Sequence, residues 1–538
     1  MGGGKRYYIT TPIYYVNDAP HVGHAYTTLA CDVLARFMRL DGYDVRFLTG
    51  TDEHGQKIEK SAVNAGLDPQ AFTDRVSENF RALSRTMAYS NDDFIRTTEE
   101  RHIRSCQALW IRLKERGEIY LGSYSGWYAV RDEAFYGENE LTTDPDGRKV
   151  APSGAEVEWV EEPSYFFRLS AWQERLLAFY RDHPDFIAPE SRRNEVVSFV
   201  SSGLKDLSVS RTSFRWGVPV PDDPDHIIYV WLDALTNYIT AVGYPDTESD
   251  LYRRYWPADL HMVGKDILRF HAVYWPAFLM AAGLEPPRRV FAHGWWTNEG
   301  QKISKSLGNV IDPLALVERY GLDPVRYFLL REVPFGSDGD FSHRAMVGRM
   351  NGDLANDLGN LVQRVLAMIQ RSCGGQIPRP GAFSEADKAL LEVAGGLIDR
   401  LRAEFRAQTF HRGLEAVWEA VAGANRYVDE QAPWALKKTD PVRMGTVLYV
   451  LAEVIRRIGI VLQPVMPDSA GAILDQIALP ARARHFADLA EPLQAAVGVP
   501  SPQPVFPRFI EVEKAEMGAQ VSPPSLGTAT RDTTRSTK

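Results

Sequence analysis

"RYYITTPIYYVNDAPHVGHAYTTLACDVLARFMRLDGYDVRFLTGTDEHG" (Arg6–Gly55) decides the fold. Its opening run is β-branched and aromatic, the composition of a buried strand. The run gives way near Asn17-Asp18, and Pro20 to His24 lead into a helix. Leu29, Val33, Leu34, Phe37 and Leu40 supply its apolar face, and Asp41-Gly42 supply a stop. "DVRFLTGTDEHG" then reads as a second strand that breaks at Gly50. Strand, turn, helix and strand form a βαβ unit, which puts a parallel sheet of nucleotide-binding type at the head of the chain. Ligands of such sheets sit outside the carboxyl ends of the strands, where His21, His24 and Asp52 fall.

Beyond this unit the character changes twice. From about Tyr120, short β-like runs such as "SGWYAV" and "EAFYG" alternate with Gly, Pro and Asp, the pattern of an inserted β-rich module. After about Pro224 the α/β pattern returns in "HIIYVWLDAL", "DLHMVGKDILRFHAVYW" and "RRVFAHGWWT". One Rossmann-like domain is therefore expected in two halves, 1–117 and 225–295, split by an insertion at 118–224. A lysine-bearing loop segment occupies 296–350. From about Asp353 the pattern is nearly all helical, with Leu354, Leu358, Leu361, Val365 and Met368 on one face, so a helical bundle is expected over 351–514. The Ser/Thr/Pro-rich stretch 515–538 reads as disordered.

Composition narrows the class. The 538 residues are 44% apolar and 24% charged, ordinary for a water-soluble globular chain, and no window approaches the apolar run a membrane span needs. The start "MGGGKRYYITTP" lacks the apolar core of a signal peptide. Only Cys31, Cys106 and Cys373 occur, far apart, which fits neither a disulfide scaffold nor a cysteine zinc knuckle and suggests a reduced, cytoplasmic setting. The net charge of −9 argues against indiscriminate nucleic-acid binding but leaves a specific RNA partner open.

Two motifs carry chemistry. His21 and His24 flank Gly23 at a helix entrance. They could simply cap the helix. A zinc site would want a third ligand and commonly a Glu on the helix, where Thr27, Thr28 and Asp32 stand instead. A phosphate has a direct mechanism: the helix entrance offers unpaired N–H groups and partial positive charge, Gly23 lets a ligand approach, and two imidazoles can donate hydrogen bonds. Far downstream, "NEGQKISKSLGNVIDP" places Lys302 and Lys305 around Ser304 between Gly300 and Gly308. Two ammoniums on a glycine-flanked loop suit a mobile clamp on a polyphosphate; a solvated surface loop is the alternative.

H-x-G-H after the first strand and K-x-S-K-S in a late loop resemble the two signatures of class I aminoacyl-tRNA synthetases. "TGTDEHGQKI", "YVWLDALTNYI", "VGKDILRFHAVYWP" and "QAPWALKK" are similar to the methionyl branch of that class, and the resemblance runs from about Tyr7 to Glu511. It implies that His21, Gly23 and His24 hold ATP phosphates as pyrophosphate leaves. Lys305 would stabilise the same charge, with Lys302 and Ser304 positioning the loop. Gly264 and Asp266 would hold the adenosine and its ribose, with Mg²⁺ accompanying ATP. Asp52 would take the methionine ammonium. Ile13, Tyr15, Trp231, Ala234, Tyr238, His271 and Trp275 match the family's pocket positions, and aromatic rings beside a thioether are favourable by about 0.3–1.5 kcal/mol.

The same resemblance implies that the bundle reads the CAU anticodon of tRNA(Met) through Asn360, Arg364 and Trp434, with Asn356 on the same polar stripe four residues earlier. Amides, a guanidinium and an indole suit unstacked single-stranded bases. "SGWYAVRDEAFYGENE" occupies the family's zinc-knuckle region without a cysteine pair. Asp132, Glu133, Glu138 and Glu140 offer carboxylates there, but a solvated acidic loop is commoner, so no structural zinc is expected. "VFPRFIE" resembles the family's closing peptide, and no added dimerisation module follows it, so a monomer is expected. The expected activity is ligation of L-methionine to tRNA(Met) at the expense of ATP. A small-molecule nucleotidyltransferase, which also uses H-x-G-H, and a non-catalytic tRNA-binding paralogue are the rivals.

Overall fold

The computed structural model describes residues 4–16, 19–132, 134–303 and 309–511. A parallel sheet forms its centre. Strand Arg6–Thr10 lies between Leu260–Gly264 on one side and Asp44–Asp52 on the other. Asp93–Arg96 extends the sheet beyond Asp44–Asp52, and Val290–His293 extends it beyond Leu260–Gly264. The strand order reverses between Arg6–Thr10 and Leu260–Gly264. That switch point leaves a crevice at the carboxyl ends, the place where such sheets bind ligands.

Helix Val22–Leu40 crosses from the first strand to the second, as the apolar spacing predicts; Leu29, Val33, Leu34 and Phe37 are buried. It ends where Gly42 takes a left-handed φ of 82°. The first apolar run divides at Pro12 into Arg6–Thr10 and Tyr14–Tyr15, because proline cannot donate to a ladder. The second strand does not break at Gly50 but continues to Asp52. Gly50 is there for close approach: a Cβ would lie 2.0 Å from the Ile95 carbonyl oxygen of the neighbouring strand.

Residues 118–224 do not form one insertion. Strands Ile119–Ala129, Ala134–Tyr136 and Glu158–Phe167 build the expected antiparallel module. The chain then returns through helices Gln173–Asp182 and Glu190–Ser201, and Ile187–Ala188 between them adds a parallel strand to the edge of the main sheet. A two-residue strand carries too little periodicity to be read from sequence.

One apolar core covers helix Val22–Leu40 and runs without interruption through Leu322–Arg331 into the C-terminal helices Asn360–Ser372, Glu385–Arg406, Phe410–Gln431 and Pro441–Leu462. Phe37 packs at 4.8 Å against both Phe405 and Phe486. The fully buried Arg326 guanidinium donates to Asp32 Oδ2 (2.7 Å) on that first helix, to the Met87 carbonyl, and to the Pro464 and Val465 carbonyls after Pro441–Leu462. Sheet domain and bundle thus share one core, and the buried Arg326–Asp32 pair is tied to the bundle through the Pro464 and Val465 carbonyls.

Candidate active site

A cavity of about 590 Å³ opens at the switch point. Ile13, Tyr15, Asp52, Trp231, Ala234, Tyr238 and His271 line one part, and His21, Gly23, His24, Gly264 and Asp266 another. The structure therefore collects twelve of the sequence-predicted residues in one space.

At the helix entrance the capping and phosphate readings turn out to be compatible. The Gly23 N–H donates to His21 Nδ1 (3.0 Å), and the His21 N–H donates to His24 Nδ1 (3.1 Å). Each ring accepts at Nδ1, so its proton sits on Nε2, and Nε2–H is left to donate to a ligand. The rings lie 3.9 Å apart. Burial lowers both pKa values, His24 further because His21 adjoins it, so both rings are neutral donors at neutral pH. A Cβ on Gly23 would lie 2.9 Å from the His21 ring, so this glycine also makes room for the imidazole.

Asp52 ends its strand with its carbonyl accepting the Val16 N–H (3.1 Å). Its neighbour Glu53 is fully buried and gripped by Arg96 at 2.7 and 2.8 Å. Across the cavity, helix Val230–Thr240 presents Trp231, Ala234 and Tyr238. Residues Phe270–Tyr274 wind wide, with i→i+5 bonding, a distortion often found at functional sites. The wide turn sets His271 against Tyr238 and lays Phe270 flat on Trp231. Burial pushes the His271 pKa down to about 4, so the ring is neutral. Its Nδ1 contacts the Ile267 carbonyl (2.9 Å) and must donate; Nε2 then accepts from the Tyr238 hydroxyl (2.6 Å).

Trp275 departs from expectation. It is fully buried and does not line the cavity; its indole N–H donates to His261 Nε2 (3.3 Å), and its ring backs Tyr238 at 6.0 Å. It supports the pocket wall from behind. Ser304, Lys305 and the Lys302 side chain lie outside the described residues. The flanks of that loop, Ile303 and Val310, both line the cavity, and the Ile311 carbonyl accepts the Val22 N–H at the helix entrance (3.1 Å).

Some lining residues escaped the sequence reading. His293 ends the strand Val290–His293 and Gly294 follows it, and a His-Gly pair at a strand's carboxyl end was the available signal. His293 Nε2 meets Thr27 Oγ1 at 2.7 Å. The Trp295 indole donates to Asp266 (3.2 Å), tying that carboxylate to the cavity rim. Arg131 and Asp132, from the antiparallel module, also line the cavity; Asp132 is marked in the sequence only as one of the acidic segment's carboxylates, and nothing in the local pattern marks Arg131.

Among the described residues of the module the carboxylates take separate partners. Asp132 accepts from the Tyr136 hydroxyl (3.0 Å), Glu138 pairs with Lys149 and the Trp127 indole, and Glu140 caps the Gly137 N–H (2.7 Å). Glu133 lies outside the described residues. Among the described residues one triad, His102, Cys106 and Asp233, could offer ligand atoms to an ion. The 2.7 Å between His102 Nε2 and Asp233 Oδ1 is a hydrogen bond, tighter than two ligands of one tetrahedral ion would sit.

In the bundle, Arg364 and Trp434 meet: the guanidinium lies 5.9 Å from the indole, which is 54% exposed, and it is held by Asp429 (2.8 Å). The short helix Pro433–Thr439 starts after left-handed Ala432, a bend that turns Trp434 outward. Asn360 is exposed on the same helix as Arg364. The four-residue stripe does not extend to Asn356. Residues Met350–Gly359 are wound wide, which breaks the i,i+4 register, and Asn356 accepts from Arg508 of the closing segment instead. That segment returns to the body: Phe509 N–H donates to Asn351 (2.8 Å), and Glu511 pairs with His343.

A split Rossmann-like sheet with two neutral histidines at its first helix entrance and an appended helical bundle define a class I aminoacyl-tRNA synthetase, and Ile303 and Val310, which bound the lysine segment in the chain, line the same cavity. Residues 7–366 match the family described as tRNA synthetases class I (M), and residues 377–523 match the anticodon binding domain of methionyl tRNA ligase. The chain is 59% identical over 511 residues to the methionine–tRNA ligase of Brucella suis, covering 95% of this chain and 99% of that one. It is 56% identical over 509 residues to that of Rhizobium meliloti, covering 94% and 99%. A Mycobacterium tuberculosis methionyl-tRNA synthetase solved with methionyl-adenylate superposes with a TM-score of 0.92 at 56% identity, over 94% of this chain and 100% of that one. The chain belongs to the methionyl-tRNA synthetase family, and its activity is that of a methionine–tRNA ligase. No helix among the described residues is long and apolar enough to cross a membrane.

Proposed function

We propose that the cavity residues divide the ligase reaction between them as follows. Asp52 takes the methionine ammonium. The side chain enters the slot of Ile13, Tyr15, Trp231, Ala234, Tyr238 and His271, where soft sulfur meets aromatic faces. Trp275 acts through Tyr238 and touches no substrate. ATP arrives as its Mg²⁺ complex, the ion held chiefly by the nucleotide's own phosphates. Its ribose falls to Gly264 and Asp266, and its phosphates lie along Gly23 at the helix entrance.

A methionine carboxylate oxygen attacks the α-phosphorus, the bond from that phosphorus to the bridging oxygen breaks, and pyrophosphate leaves. Nε2–H of His21 and of His24 donate to oxygens that gain charge as it does so. Lys305, aided by Lys302 and Ser304, answers the same charge from the loop. No covalent bond to the enzyme forms, so positioning and electrostatics carry the rate. The hydroxyl of the terminal tRNA ribose then attacks the methionyl carbonyl and AMP departs. Asn360, Arg364 and Trp434 read the anticodon of tRNA(Met), serving initiation and elongation; Asn356 supports this surface through the closing segment. The antiparallel module stands at the cavity mouth without a structural zinc, and the chain works as a cytoplasmic monomer.

The observation that carries this reading is the pair of histidines whose Nδ1 atoms are both occupied by backbone N–H groups, which aims two neutral donors at the helix entrance. Amino-acid-dependent exchange of pyrophosphate into ATP across the twenty amino acids, with and without tRNA, tests it. Methionine alone should support exchange, before tRNA is added. Exchange with another amino acid, or none from folded protein, would overturn the reading.

A further inference from the structure

The helix Val230–Thr240 has a second buried face that touches no substrate. Trp231, Ala234 and Tyr238 face the cavity, whereas Asp233 is fully buried and is not among the cavity-lining residues. Its two oxygens point to two different elements. Oδ2 lies 2.6 Å from His54 Nδ1, and Oδ1 lies 2.7 Å from His102 Nε2. His54 stands two residues beyond Asp52 on the loop that leaves the strand Asp44–Asp52. His102 rides on the helix Glu100–Glu115, outside the cavity, with Thr240 Oγ1 at 3.4 Å from its other nitrogen. Burial opposes a charged Asp233, but the two imidazoles hold its carboxyl well below the usual range.

Asp233 thus ties the helix Val230–Thr240, which brings Trp231, Ala234 and Tyr238 to the pocket, to the loop that follows Asp52. The ammonium-binding carboxylate sits at one end of that tie and the aromatic wall of the thioether slot at the other. The path Asp52–Glu53–His54···Asp233–Ala234 is short and buried throughout its side-chain link, with His54 5% exposed and Asp233 fully covered. A carboxylate held from both sides cannot slide toward either partner without losing the other bond.

We infer that Asp233, through His54, is a positioning residue that sets the spacing between the ammonium-binding carboxylate and the thioether slot, and so selects the length of the amino-acid side chain; this rests on the pocket reading proposed above. His102 is the outer anchor that keeps Asp233 from following the loop. A displacement of about 1 Å at a binding group can change catalysis by about a hundredfold. A change in spacing acts differently on homologues of different length, which is what separates it from a general loss of structure.

The test is pyrophosphate exchange with Asp233→Asn, His54→Leu and His54→Asn, using methionine, the one-methylene-shorter S-methylcysteine, and ATP as varied substrates. Asp233→Asn and His54→Leu should raise the methionine KM about tenfold or more, leave the ATP KM within about twofold, and narrow the preference for methionine over S-methylcysteine. His54→Asn, whose amide can donate from near the Nδ1 position, should restore much of that preference. If His54→Leu retains the methionine KM and the preference, the inference is wrong. An equal fall for every amino acid with no change in preference would make the network merely structural and would also overturn it. Asp52→Asn is measured alongside: if it leaves the methionine KM unchanged, the pocket reading itself fails, whatever the network variants show.

Discussion

His24→Ala separates the two jobs that its imidazole performs. The Nδ1 atom accepts the His21 N–H at 3.1 Å, so removing the ring costs a cap, worth about 0.5–2 kcal/mol of stability. A domain typically has about 5–15 kcal/mol in hand, so the variant should fold. The Nε2–H donor is worth more at the transition state. Loss of one preorganised donor to developing charge costs about 2.7–4 kcal/mol, or about 10² to 10³ in rate. The methionine KM should stay within about twofold, because Asp52 and the thioether slot lie on other elements. His24→Asn should recover the cap through its amide oxygen but not the rate, because it carries no group at the Nε2 position. Urea unfolding and single-turnover adenylate formation read the two effects apart. Recovery of rate by His24→Asn, or a raised methionine KM with the rate kept, would refute the phosphate role.

Other outcomes follow from the same structure. Burial lowers the folded pKa of His21, His24 and His271 below the 6.5 of a free ring. The unfolded chain therefore takes up protons first as pH falls, and unfolding free energy should decrease from about pH 6.5 downward, the His271 share ending at about 4. His271→Gln should flatten that slope in urea titrations; an unchanged slope would count against the assignment. Trp434→Ala should leave tRNA-independent exchange intact while weakening charging, as loss of a stacking platform costs about 1–3 kcal/mol per base; equal loss of both activities would contradict the anticodon role. Arg326→Leu leaves Asp32 with Arg36 and Ser90 but takes the donor from the buried Met87, Pro464 and Val465 carbonyls, and should cost about 3–5 kcal/mol in urea unfolding; a near-neutral result would contradict this role.

What was legible in the sequence was whatever repeats with a period or clusters at a turn. The strand–helix–strand opening, the H-x-G-H entrance, Asp52 at a strand end and the bundle all carry such signals, and the pocket residues on Val230–Thr240 share one helical face. The unread features lack them. Gly50 looked like a breaker because its reason, the Ile95 carbonyl pressed against it, belongs to a strand some forty residues away. Asn356 lost its place on the stripe because the helix there winds wide, which no propensity marks. Trp275 could be read as core or pocket equally well, since a large buried aromatic suits both. Ile187–Ala188 joins the sheet only because the chain beyond the module folds back. Asp233, His54 and His102 come from three separate stretches and meet only in three dimensions.

Asp52→Asn in the pyrophosphate exchange assay addresses the central claim most directly, because it alters one atom of the proposed ammonium site and nothing at the phosphates. Truncating one partner of a buried charge pair costs about 2–5 kcal/mol, so the methionine KM should rise by about thirtyfold or more while the ATP KM stays within about twofold. A methionine KM that does not move, from an Asp52→Asn protein that unfolds like the wild type, would contradict the account.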